Sequence, residues 1–224
     1  MIFKRKVYDK LKEWKELSAG TSALLLEGAR RIGKSTIVEE FAKNEYDDYM
    51  ILDFARENQD IKENFIENMG DLNTFFRNLF MLKGRALKGK NCVLIFDEVQ
   101  LFPQARQAIK YLVADGRFDY IETGSLISIK KNVKDILIPS EEYRVKMYPM
   151  DFEEYLWALG DEITIPTVKN SFEERKALGD TIHRKIMKTF RTYMVVGGMP
   201  QAVDAYVSGK TYAQIDFVKR NIIS

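Results

Sequence analysis

Gly28-Ala29-Arg30-Arg31-Ile32-Gly33-Lys34-Ser35 follows the apolar run Ala23-Leu24-Leu25-Leu26, and this junction decides the fold. A G-x-x-x-x-G-K-S string after a strand builds a cradle for phosphate. Its glycines let the backbone curl until successive N–H groups face phosphate oxygens. Lys34 then reaches the β- and γ-phosphates, and the Ser35 hydroxyl ligates Mg²⁺. A helix opening near Lys34 adds the positive end of its dipole. At average residue frequencies such a string arises by chance in roughly one chain in a hundred of this length, and the strand-like run before it makes chance rarer. The expected ligand is a nucleoside triphosphate.

Composition narrows the class without choosing a partner. The chain has 224 residues, room for one large domain or an α/β domain with a small appendage. Hydrophobic residues make up 46% and charged residues 30%, the balance of an ordinary globular protein and not of a disordered one. Thirty-five basic residues against 33 acidic leave +2, too little to argue for nucleic acid. No apolar stretch approaches membrane-spanning length, and the opening MIFKRKVYDK lacks a signal-peptide core. The single cysteine, Cys92, lies in an apolar run and reads as a buried small residue in a reducing, cytoplasmic setting.

Along the chain, Val7, Leu11, Trp14 and Leu17 recur at helical spacing, and the basic start Lys4-Arg5-Lys6 reads as a solvated helix entrance. Strand patterns follow at 23–26, 49–54, 92–96, 120–123 and 143–148, with helices between most of them. Asp71 is placed to cap the second helix of the 59–82 stretch. Strands alternating with helices predict an α/β fold: a three-layer αβα sandwich of the P-loop NTPase type, with a mainly parallel five-stranded sheet. From Asp151 the pattern turns helical, at 151–159, roughly 171–194 and 200–207. The expected domains are therefore a core over 1–150 with its N-terminal helix, and a helical lid over 151–224 that enters a C-terminal, winged-helix-like region.

The second chemical anchor is Val93-Leu94-Ile95-Phe96-Asp97-Glu98. An apolar strand ending in an acidic pair suits a Mg²⁺-dependent NTPase. Asp97 would hold the metal opposite Ser35, directly or through its water, and Glu98 would act as general base on the attacking water. The plain alternative is a pair of acids capping a helix that starts near Phe102. The strand between the phosphate loop and this pair favours the additional-strand, catalytic-glutamate branch over kinases and G proteins. A G protein's D-x-x-G is absent, with Gln100 at the glycine position, and Asn132-Val133-Lys134-Asp135 only approaches N-K-x-D. Adenine is the better choice of base. Thr123-Gly124-Ser125 ends the fourth strand, and a hydroxyl of Thr123 or Ser125 can orient water there; a turn with Ser125 as a helix N-cap is the alternative. His183 lies on a charged helix, and no Cys/His cluster suggests zinc.

These motifs carry a resemblance. The chain resembles archaeal and bacterial AAA-type ATPases that join an ATPase domain to a C-terminal domain of unknown function. It rests on Leu24 to Thr36, Ile95 to Gln100, Thr123 to Leu126, Tyr148 to Leu156 and Val196 to Val203. The resemblance implies phosphate and Mg²⁺ contacts from Gly28, Ala29, Arg30, Arg31, Ile32, Gly33, Lys34, Ser35 and Thr36, with Asp97 and Glu98 as the acidic pair. Arg30 and Arg31 sit at variable loop positions and read as solvated or packed, not catalytic. It also implies an arginine near Arg144, as a finger in cis or trans, against the plainer reading of a strand-edge arginine paired with Glu141 or Glu142. Gly197-Gly198-Met199-Pro200 reads as a helix stop followed by Pro in the next first turn. By resemblance this turn couples the γ-phosphate to lid position. The family's chains are longer, so most of their C-terminal domain is expected to be missing here.

The expected protein binds ATP and Mg²⁺ and hydrolyses ATP to ADP and phosphate. A nucleotide-gated regulatory switch with little turnover and a DNA-associated ATPase are the alternatives. A homo-oligomer is compatible with a trans-acting arginine.

Overall fold

The computed structural model describes residues 2–125 and 142–223. It divides into two compact units: one of residues 7–30 and 34–147, the other of residues 1–6, 31–33 and 148–224.

The first unit is a parallel sheet between helices. Its elements are α1 (Val7–Leu17), β1 (Ala23–Gly28), α2 (Lys34–Glu45), β2 (Asp48–Asp53), α3 (Gln59–Asn68), α4 (Leu72–Lys83), β3 (Cys92–Asp97), a 3-10 turn (Val99–Leu101), α5 (Pro103–Asp115), β4 (Asp119–Ser125) and β5 (Glu142–Met147). The five strands run in the order β2-β3-β4-β1-β5, every pairing parallel. Central strands of such a sheet are covered on both faces and must read as continuous apolar runs. β1 and β3 do so, with every residue buried, whereas the edge strands β2 and β5 alternate. The sheet order reverses direction at β1, since the chain leaves it toward β2 and later returns to its other side as β5. Ligands of open α/β sheets bind beyond the carboxyl ends of the strands at such a switch point.

One face of the sheet packs on α3, α4 and α5 around aromatic rings, among them Phe65 and Phe75 with centroids 4.8 Å apart. Asp71 caps α4 as expected, its side chain accepting from the Asn73 and Thr74 N–H groups. In α1, Val7, Leu11 and Trp14 are buried, but Leu17 is 75% exposed. Leu17 is the last residue of the helix, which gives way at Ser18, where the Ser18 and Ala19 N–H groups both donate to Trp14 O.

The second unit holds α6 (Phe152–Ala158), α7 (Thr164–Glu173), α8 (Asp180–Val196), α9 (Pro200–Val207) and α10 (Tyr212–Ile223). Asp151 opens α6 with a capping box shared with Glu154. The single helix expected over 171–194 is instead two. α7 closes at Glu173, with Arg175 left-handed at φ 54° and Lys176 N donating to Ser171 O, and α8 restarts after Gly179. The charged run Glu173-Glu174-Arg175-Lys176 has helical propensity but no apolar face to bury, so nothing holds it helical.

The basic start was expected in solvent, and the structure corrects this for Arg5. Its side chain is 6% exposed. It pairs with Glu154 at 3.2 Å and donates to Ile32 O at 3.0 Å and Tyr148 O at 2.6 Å. Lys4 pairs with Glu162, and Lys6 with Asp151 and Glu153. The triplet is neutralised by acids about 150 residues downstream, which charge spacing cannot reveal. In the same unit Gly197 ends α8 and Pro200 opens α9 at its first turn, as expected. Gly198 has to be glycine here, because a Cβ would lie 2.1 Å from Met150 O, whose own N–H donates to Gly198 O at 2.7 Å.

Candidate functional site

β1, β3 and β4 are parallel neighbours, so Gly28, Asp97 and Ser125 finish at one end of the sheet, Gly28 paired in register with Ser125. The chain leaves β1 through the loop and re-enters regular structure as α2 at Lys34. Two successive backbone specials shape the loop: Arg31 at φ 63° and Gly33 at φ 91°. The second lies where side chains rarely go, which is why glycine precedes the lysine. Alternation of such conformations turns N–H groups to one side and forms an anion-binding nest.

Lys34 is 5% exposed, and its ammonium donates to the carbonyls of Gly28 at 3.2 Å and Ala29 at 2.8 Å. Burial pulls its pKa below the usual lysine range; Glu98 and Asp97 oppose this and Arg30 adds to it. Ala29, Arg30 and Arg31 are exposed, Ile32 is buried, and Ser35 and Thr36 lie exposed in the first turn of α2. Arg31 donates to Asn221 O, so it packs as a loop side chain.

Beneath the loop runs a connected polar network. Ser35 Oγ donates to Asp97 Oδ1 at 2.8 Å. Thr123 Oγ1 donates to the same carboxylate oxygen and accepts from the Glu98 N–H at 3.3 Å. Thr123 is fully buried, so its hydroxyl is committed to joining the two acids. Glu98 itself is left-handed, at φ 54° and ψ 43°, a conformation costing a non-glycine residue roughly 1–2 kcal/mol. Its N–H on Thr123 and the Leu101 N–H on its carbonyl, at 2.9 Å, hold it there. The acids do not cap a helix. Glu98 makes no side-chain capping bond to the 3-10 turn, and α5 starts at Pro103 behind Phe102.

Of the expected residues, the structure brings together within one unit Gly28, Ala29, Lys34, Ser35, Asp97, Glu98, Thr123 and Ser125. It sets Arg144 apart. Arg144 pairs in register with Leu25, three positions before Gly28↔Met147, and at about 3.3 Å per residue that is roughly 10 Å of strand. Its guanidinium is paired with Glu142 at 3.2 Å. Glu141 and Asn132 to Asp135 lie outside the described residues. Sequence reasoning passed over Gln100, which is 6% exposed and bonded to Glu98 and to Ser125 N. The signal was present: an amide one turn after an acidic pair, where an apolar residue would otherwise pack.

Ser35 and Asp97 supply hard oxygen ligands already touching one another. That suits Mg²⁺, which typically takes one or two protein ligands beside substrate phosphates and water. Among the described residues there is no cluster of three or more acidic, His or Cys side chains able to cage a metal alone. No helix among them is long and apolar enough to cross a membrane.

Comparison with known proteins agrees with this geometry. A family model described as an AAA domain matches residues 20–156, a span that contains the loop, the acidic pair and the β4 tip. Among solved structures, the chain is similar to one described as Drosophila ORC bound to DNA, with TM-score 0.52 and 14% identity. The alignment covers 95% of this chain and 66% of that one, just under two thirds of its length. At that identity the likeness is one of fold. No curated protein sequence matches the chain.

Proposed function

The chain belongs to the AAA domain family, and on that premise we propose that it is a Mg²⁺-dependent ATPase converting ATP to ADP and phosphate. The observation that carries the proposal is the unbroken network from Ser35 through Asp97 and Thr123 to Glu98, beside the buried ammonium of Lys34. Lys34 exchanges its two loop carbonyls for the β- and γ-phosphates, and the loop N–H groups take the remaining phosphate charge. Ser35 and Asp97 would hold Mg²⁺, which when bound neutralises charge on the phosphate oxygens. Thr123 holds Asp97 and the Glu98 backbone in a fixed relation, and Glu98 accepts the proton of the attacking water. Gln100 at the position where a G protein needs glycine favours adenine over guanine.

Gly33 lies beside Pro200, 3.9 Å from Pro200 Cγ to a Cβ built on the glycine. This supports the Gly-Gly-Met-Pro turn as the element that responds to the loop's state. Arg144 enters only as a residue offered to a second copy in a homo-oligomer, being spent on Glu142 in its own chain. A reducing, cytoplasmic setting fits the buried free thiol of Cys92.

Phosphate release, measured with ATP binding by calorimetry, tests the hydrolase reading. Glu98→Gln should keep ATP binding and lose turnover by at least about 100-fold, and Lys34→Ala should lose binding. Undiminished turnover in Glu98→Gln removes that residue from the mechanism; phosphate release of no more than one per site in the unaltered protein makes it a nucleotide-gated switch instead. A DNA-associated ATPase is a second reading, supported by exposed Arg184, Lys188 and Arg191 along one side of α8. Salt-sensitive DNA binding lost on neutralising these three supports it.

A further inference from the structure

The 3-10 turn after β3 is tight: Leu101 N donates to Glu98 O at 2.9 Å and Phe102 N to Val99 O at 3.1 Å. This closure brings the side chain of residue 100 back onto that of residue 98. Gln100 Nε2 donates to Glu98 Oε2, and Gln100 Oε1 accepts from the Ser125 N–H at 3.2 Å. The two ends of the amide are not interchangeable. Only the oxygen can accept from a backbone N–H, so the nitrogen is left to face the carboxylate. Ser125 is in turn paired with Gly28, the residue from which the phosphate loop departs.

We propose that Gln100 is a positioning residue for Glu98, fixing the carboxylate's orientation through Ser125 to the root of the phosphate loop. The inference rests on the hydrolase reading above, with Glu98 as base. Gln100 touches neither nucleotide nor water in this role. It sets which carboxylate oxygen stays engaged and which is left for the proton of the attacking water.

The test compares Gln100→Met, Gln100→Glu and Glu98→Gln in the full chain with ATP and Mg²⁺, by steady-state phosphate release over a range of ATP concentrations and by thermal melting. Gln100→Met keeps the length and bulk of the side chain and removes both hydrogen bonds. It should lower kcat about 10- to 100-fold and leave KM for ATP within about twofold. Gln100→Glu can still accept from Ser125 N–H but turns an oxygen toward Glu98. It should therefore lose kcat at least as far as Gln100→Met does, again with KM for ATP within about twofold. Three results overturn the proposal while Glu98→Gln is inactive: unaltered kcat in both Gln100 variants, a rise in kcat in either, or a raised KM together with a lowered melting temperature. If Glu98→Gln turns over normally, it is the hydrolase reading that has failed, and the role of Gln100 falls with it.

Discussion

Glu122 and Thr123 are consecutive on β4, both fully buried, and they face opposite sides of the sheet. Thr123 is wholly satisfied, donating to Asp97 and accepting from Glu98 N–H. Neither carboxyl oxygen of Glu122 has a hydrogen-bond partner among the described residues. Its charge neighbours are Glu142, which Arg106 grips through Nε at 2.6 Å and Nη2 at 2.7 Å, and Arg144. Burial, then the Glu142 charge, pushes the Glu122 carboxyl well above its usual range, against the pull of Arg106 and Arg144. The contrast separates two uses of buried polarity. At the strand ends the groups satisfy one another by hydrogen bonds, whereas in mid-sheet they are tolerated at a cost in stability.

That comparison can be broken at each side. The largest effect is expected from Arg106→Leu, which leaves the buried Glu142 carboxylate with only the half-exposed Arg144 as counter-charge. Urea unfolding should show a loss of about 3–5 kcal/mol, and a loss under 1 kcal/mol would mean that Glu142 is relieved by solvent. On the other face, Thr123→Val keeps the shape and removes the hydroxyl. We expect turnover to fall about 10- to 100-fold, with a stability loss of only about 1 kcal/mol. A variant that unfolds readily yet cycles normally once folded would reverse the roles assigned to the two faces.

The smallest effect, and the most diagnostic, concerns Glu122→Leu. The folded chain keeps a proton on Glu122 to higher pH than the unfolded chain, whose ordinary value is 4.5. Stability contributed by this group is therefore full below that value and falls as pH rises through the folded one. Glu122→Leu should stabilise by about 1–2 kcal/mol at pH 8 and by much less at pH 5. Equal gains at the two pH values would show that Glu122 does not titrate in this way.

Reading the sequence placed residues together where the constraint is local. The glycine spacing before Lys34, and the acids directly after an apolar strand, are constraints among residues within a few positions of one another. It failed where partners are distant. Arg5 looked solvated because its acceptors on Ile32, Tyr148 and Glu154 are 27 to 149 positions away. For Arg144 the sequence offered both a finger and a strand-edge arginine paired with Glu141 or Glu142; within its own chain it pairs with Glu142, in a register that spacing could not give. Gln100 was read only as a missing glycine, since Glu98 meets it through the closure of its own turn and Ser125 from the end of another strand.

The amino-acid sequence by itself determined the phosphate loop, the acidic pair and the parallel α/β fold. Each is specified by short-range backbone needs: curling at glycine, hydroxyl and ammonium beside phosphate, unbroken apolar runs for strands covered on both faces. Only the tertiary structure decided which side chains meet at the strand ends. Strand order and register are set by packing across the whole sheet, and they brought Thr123 to Asp97 and Ser125 to Gln100 while keeping Arg144 away.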